Sequence, residues 1–291
     1  MYNSLFAALF MGVIPVGGVQ GPVQPTLAAM LSIAPPSVEE RFRDEEVLRT
    51  LREQISASGV LIVDAESGQD LYALSSREER PMASLTKLMT ALLIAEHHDM
   101  DEWVTVPQAA ATVPGEVAYL PPGEEFTVGD LLSALLIGSA NDAAVTLAVY
   151  HSGTISAFVE EMNQRARELG LTQTAFENPV GFDAVHQYST PKDLAWLSMF
   201  VLKNAHIKKR MAMRGVRMYS RSDKEFYVTH THALLHADTA VLAGKTGTTD
   251  AAKQCLLSLV EAGNNKRYLV LLLHSGDRYA DMRTILRFFA L

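Results

Sequence analysis

Strand-like segments lie at the two ends of the chain's folded region, and the long stretch between them has a helical period. Near the front, "SGVLIVDAESGQDLYALS" (residues 58–75) reads as two strands joined by turn residues around Ser67-Gly68. Near the back, "TAVLAGKTGTT", "KQCLLSLVEAG" and "RYLVLLLHSG" read as three more, with Gly263-Asn264-Asn265 as the turn between the last two. Apolar strands cannot stay unpaired, so the economical assembly is one antiparallel sheet built from both chain ends, with a helical lobe inserted in its middle. This is an α+β architecture of five strands flanked by helices. Within the middle, Thr127 with Asp130, Thr154 with the stop at Gly170, and Thr190-Pro191 with Asp193 mark helix boundaries.

Composition removes several classes of function. A chain of 291 residues that is 48% hydrophobic buries a sizeable core. A net charge of −8 argues against nucleic-acid backbone as the partner. The basic segment over residues 207–225 is expected to be a solvated face. One cysteine, Cys255, excludes an intramolecular disulfide. No zinc-ligand spacing occurs; His230 and His232 stand two apart without a carboxylate or cysteine arranged nearby, and no metal or cofactor is expected. Residues 1–38 carry no Lys, Arg, Asp or Glu, and "LFAALFMGVIPV" has the length of a signal-peptide apolar region. It is short for a membrane span and lacks a preceding basic stretch and a clear cleavage site. Export or N-terminal membrane anchoring, and an extracytoplasmic location, are the expectation. Residues 39–57 then read as a charged spacer, one short surface helix with a weak stripe of Phe42, Leu48, Leu51 and Ile55.

The chemistry-bearing residues are spread along the chain. "ASLTKLMTALL" places Ser84 one helical turn before Lys87 at the start of an apolar helix. At that spacing the lysine amine reaches the hydroxyl. An alcohol is a poor nucleophile until a base takes its proton, and lysine becomes a base when burial and a second cation lower its pKa. Lys245 is a candidate for that cation. A helix N-terminus at Ser84 also favours a developing oxyanion. Downstream, "SAN" holds Ser139, a hydroxyl able to relay a proton, and Asn141, a donor and acceptor for a substrate amide. "KTG" holds Lys245 and Thr246, a cation and hydroxyl for a carboxylate, and Gly247, which leaves room for a substrate backbone. Ser189 to Lys192 repeats the Ser-x-x-Lys spacing but reads as helix capping beside an exposed lysine.

The three motifs in this order resemble the serine D-alanyl-D-alanine carboxypeptidases, the low-molecular-mass penicillin-binding proteins. "GSANDAA", "LGLTQTAFENPVGFD", "QYSTPKDLAWL" and "GKTGTTDAA" carry the resemblance across residues 58–291. It implies a β-lactamase/transpeptidase-like fold, with a sheet lobe over about 58–90 and 237–291 and a helical lobe over about 91–236. It makes Ser84 the acyl-enzyme nucleophile, Lys87 its base, Ser139 the relay and Asn141 the amide-positioning residue. Lys245 and Thr246 bind the terminal carboxylate, and the backbone N–H groups of Ser84 and Thr248 form the oxyanion hole. The implied substrates are peptidoglycan stem peptides, with β-lactams as covalent inhibitors. Three departures stand out: Lys253 where the family often has glycine, His232 where it often has asparagine in the cleft, and a chain that ends soon after its last strand. That last feature resembles D,D-endopeptidases of the family. The same motifs are also compatible with a serine β-lactamase using Glu177, or with a non-catalytic penicillin sensor.

Overall fold

The computed structural model describes residues 36–237, 239–263 and 265–291. The apolar leader, and Asn264 of the expected last turn, lie outside the described residues. The helices are α1 (Val38–Arg41), α2 (Glu45–Gln54), α3 (Lys87–His97), α4 (Val128–Ile137), α5 (Asn141–Ser152), α6 (Ile155–Glu168), α7 (Pro191–Lys203), α8 (Ala205–Ala212) and α9 (Arg278–Phe289). The strands are β1 (Gly59–Asp64), β2 (Asp70–Leu74), β3 (Trp103–Thr105), β4 (Glu125–Thr127), β5 (Gly215–Tyr219), β6 (Glu225–Thr229), β7 (Val241–Thr249), β8 (Lys253–Glu261) and β9 (Arg267–Ser275).

Both chain ends do build one antiparallel five-stranded sheet, in the order β2-β1-β9-β8-β7. Strands β1, β8 and β9 are covered on both faces, which is why they read as continuous apolar runs instead of alternating ones. One face, with Leu61, Leu257, Leu269 and Leu271, packs on the helical lobe. The other, with Val60, Ile62, Val270 and Leu272, packs on Met282, Ile285 and Phe289 of α9. Helix α3 is apolar nearly all round and runs through the larger core, with Leu88 to Ile94 buried. The expected caps are present: Thr127, Thr154 and Thr190 accept from the backbone N–H groups of Asp130, Ala157 and Asp193.

Two stretches differ from expectation. The spacer is two helices, because Asp44 starts a second one by accepting from the N–H groups of Glu46 and Val47. Nor is its stripe a surface feature: Leu51 is buried, and Phe42 stacks on Phe289 at 3.9 Å between ring centroids. The basic segment is α8 followed by the hairpin β5–β6. Met211 and Met218 enter the core, and Arg210 donates to Gly129 O and Ser133 Oγ, each at 3.0 Å. Only part of it, including Arg217, Arg221 and Lys224, is exposed.

Asp281 of α9 ties the entry to β1 to the exit from β9. Its carboxylate accepts from the N–H groups of Ser56 and Ala57 at 2.8 and 2.9 Å, and from the hydroxyls of Ser56 and Ser275 at 2.9 and 2.6 Å. Asp281→Ala strands these donors in a largely buried position, and urea unfolding should register a loss of about 3 kcal/mol. A loss under about 1 kcal/mol contradicts this accounting.

Candidate active site

Ser84 lies on a single 3-10 turn, Ala83–Thr86, which runs directly into α3. The turn is wedged between β7 and the segment holding Gly181. A Cβ on Gly181 would stand 2.1 Å from the Ala83 carbonyl oxygen, and Gly181 has a φ of +99°. Asn178 holds that segment by accepting from the N–H groups of Val180, Gly181 and Phe182. Gly181→Ala should therefore destabilise the fold by about 3 kcal/mol in denaturant titration, combining clash and positive-φ strain. An unchanged midpoint would show that the two segments yield.

From the first residue of α3, Lys87 extends its amine back over Ser84. Nζ lies 3.0 Å from Ser84 Oγ, 2.7 Å from Asn141 Oδ1 and 2.5 Å from the Val180 carbonyl oxygen. Lys87 is fully buried. Burial first, and the charge of Lys245 second, hold its pKa well below the ordinary lysine value, while Glu116 and Asp142 pull the other way. Ser139, in the break between α4 and α5, has a φ of +58°. Its hydroxyl accepts from Lys245 Nζ at 2.7 Å, and the same ammonium donates to Thr246 O at 2.9 Å. Lys245 is also fully buried; burial, then the Arg278 charge, lowers its pKa to about 7. Asn141 is engaged at both ends, with Oδ1 on Lys87 and Nδ2 donating to Pro114 O at 2.7 Å. One amide hydrogen and one lone pair remain.

The three sequence-distant motifs thus converge. Ser84, Ser139, Thr246, Gly247 and Thr248 line one cleft of about 540 Å³. Lys87 and Lys245 lie beneath it and Asn141 beside it. The space at Gly247 is occupied differently from the sequence expectation. A Cβ there would meet Ser84 N at 2.8 Å and Ala83 Cβ at 2.9 Å, so the missing side chain admits the serine turn itself. The site can deprotonate an alcohol by a desolvated amine beside backbone N–H groups, and it presents cations and hydroxyls to an anion.

Several lining residues carried no sequence signal, among them Glu116, Thr231, Gln254, Arg278 and Tyr279. Thr231 shares a 2.6 Å hydrogen bond with Thr246. Arg278 donates to Gly247 O and Cys255 O from beneath β7, and to the Thr248 hydroxyl. His232 makes no cleft contact. It is buried behind Gly244 and bonded to Ser258 at 2.8 Å, so the polar group this stretch offers the cleft is Thr231. Lys253 starts β8 at a φ of +51°, a backbone that glycine adopts more readily, and lies outside the cleft lining. Glu177, the lactamase-type candidate, accepts from His186 N at 3.1 Å and does not line the cleft either. Ser189–Lys192 is a cap and surface pair, with Lys192 bonded to Asp70.

This fold and site resemble those of serine DD-peptidases of the penicillin-binding type. The peptidase S11 family, D-alanyl-D-alanine carboxypeptidase, matches residues 46–275, and the chain belongs to that family. It is 34% identical over 246 residues to D-alanyl-D-alanine carboxypeptidase DacF of Bacillus subtilis, covering 83% of this chain and 62% of that protein. It is 28% identical to the D-alanyl-D-alanine endopeptidase of Escherichia coli, over 78% of this chain and 74% of that protein. The chain spans about three fifths of the length of the curated carboxypeptidases it matches. Among solved structures, the Streptomyces DD-transpeptidase superimposes with a TM-score of 0.76 at 27% identity, over 81% of this chain and 98% of that one. A D-alanyl-D-alanine carboxypeptidase of Mycobacterium tuberculosis gives 0.75 at 27% identity, over 81% and 92%.

Proposed function

We propose that the protein is an extracytoplasmic serine-type D-Ala-D-Ala carboxypeptidase that removes the terminal D-alanine from peptidoglycan stem peptides. The observation that carries this is the buried Lys87 amine, 3.0 Å from Ser84 Oγ beneath a cleft lined by Thr246, Gly247 and Thr248, with Lys245 buried behind them. Lys87, entering neutral, takes the Ser84 proton as Oγ attacks the penultimate carbonyl. The tetrahedral oxyanion forms against the N–H groups of Ser84 and Thr248. Ser139 passes the proton from Lys87 to the departing amine, leaving an acyl-serine that water hydrolyses. Asn141 orients the acyl-donor amide, and Lys245 with Thr246 holds the terminal carboxylate. A β-lactam acylates Ser84 along the same path. Sheet and helical lobes, about 58–90 with 237–291 and about 91–236, form the two walls; residues 1–38 direct export or anchoring.

Incubation with monomeric and cross-linked muropeptides, followed by mass spectrometry, tests the reading. Free D-alanine from monomers supports it. Monomers released from dimers without free D-alanine point instead to endopeptidase action, the activity named for the Escherichia coli relative.

The profile of kcat/KM against pH provides a further check. Activity rises with pH as Lys87 loses its proton, and falls as Lys245 loses the charge that binds carboxylate. For a substrate ending in a free carboxylate, the alkaline limb should lie near pH 7. A bound carboxylate stabilises the Lys245 cation, so the same limb in kcat lies higher. An alkaline limb at the same pH in both profiles contradicts the assignment.

A further inference from the structure

Two acidic residues line the cleft, Glu116 and Asp277; the Asp277 carboxylate caps α9 by accepting from the N–H groups of Tyr279 and Ala280, whereas the position of Glu116 is fixed by the machinery beside it. Glu116 lines the cleft with Ser84, Ser139 and Thr246. Its carbonyl oxygen accepts from Asn141 N at 2.7 Å. On either side the chain is tied down: Pro114 O accepts from Asn141 Nδ2, and Asp142 accepts from the N–H groups of Ala118 and Leu120. Main-chain Glu116 is thus tethered to the start of α5, while its side chain is exposed. Among the described residues, its carboxylate has no hydrogen bond or ion pair, although its charge acts on both Lys87 and Lys245. An acid whose charge reaches two buried cations, Lys87 and Lys245, gains nothing structurally by standing unpaired.

The cleft is therefore dipolar. Its β7 wall, with Lys245, Thr246 and Thr248, suits the carboxylate of the leaving half of the substrate. The Asn141 wall belongs to the acyl-donor half, and there the free charge is negative. Resting on the carboxypeptidase reading, we propose that Glu116 is a specificity residue that recognises a free ammonium on the acyl-donor half of the peptide. A stem peptide whose side-chain amine is uncapped satisfies both poles at once; one whose amine is acylated, as in a cross-link, leaves Glu116 unpaired. The chemistry thus favours trimming of stems before their amine is used.

The test compares Nα-acetyl-L-Lys-D-Ala-D-Ala, which has a free ε-ammonium, with its Nα,Nε-diacetyl counterpart, on wild type and Glu116→Gln. The wild type should prefer the free amine about tenfold in kcat/KM, mostly through KM, and the preference should shrink as salt is raised. Glu116→Gln should remove that preference while leaving the diacetyl peptide within about twofold of wild type. A wild type that hydrolyses both peptides equally overturns the ammonium assignment alone. So does a Glu116→Gln variant that loses both equally, because Glu116 then acts on the machinery the two peptides share. A wild type that hydrolyses neither peptide overturns the carboxypeptidase reading and this proposal together.

Discussion

Ser84→Ala abolishes covalent labelling by penicillin and leaves thermal unfolding nearly where it was. The loss in acylation is expected to be on the order of 10⁶-fold, because among the described residues no other hydroxyl is hydrogen-bonded to the Lys87 amine. The stability cost is small for a visible reason. Ser84 Oγ accepts from Lys87 at 3.0 Å and makes a long 3.5 Å contact to Val180 O. Once it is gone, Lys87 retains Asn141 and Val180 as partners. The change is expected to stay within about 1 kcal/mol. Persistent labelling of the variant places the nucleophile elsewhere, and a collapsed transition makes the serine structural.

Lys87→Ala tests the base. Acylation should fall by about 10²- to 10⁴-fold, the range that general-base removal produces. Because alanine also empties a buried stem, Lys87→Met serves as the companion: it keeps most of the volume and removes only the amine. Both variants should lose the acid limb of the pH profile, since that limb records the proton Lys87 must shed. Lys245→Met should move the same limb to higher pH, because the neighbouring cation is one of the two causes that depress the Lys87 pKa. Near wild-type acylation in Lys87→Met contradicts the proposed role.

Much of this arrangement was legible in the sequence because local chemistry and global packing agree. The caps at Thr127, Thr154 and Thr190 are side-chain-to-backbone bonds within three residues, so spacing alone reveals them. Strands β8 and β9 are long and apolar, and they announce themselves. The less legible features depend on distant partners. The antiparallel pair β3–β4 joins three residues to three, too short for a period to appear. The basic look of residues 207–225 hides Met211 and Met218, whose burial is decided by the helices they meet. Arg278 gives no sequence cue for the cleft, because its reach beneath β7 comes from the crossing of α9 and the sheet. Gly247 was visible as a glycine, but what fills its missing side chain is the Ala83–Ser84 turn, contributed from a far earlier part of the chain.

The pairing of β1 with β9 also bears on how such a chain matures. Ile62 finds Val270 only after roughly two hundred intervening residues have been made, so central ladder formation waits for β9 to emerge from the ribosome. Until then β1 and β2 form an unsupported ribbon with an open edge, a species prone to sticking and a natural client for chaperones. A nascent chain of this design therefore stays unlocked through most of its own synthesis, the condition under which it could be threaded through a translocation pore.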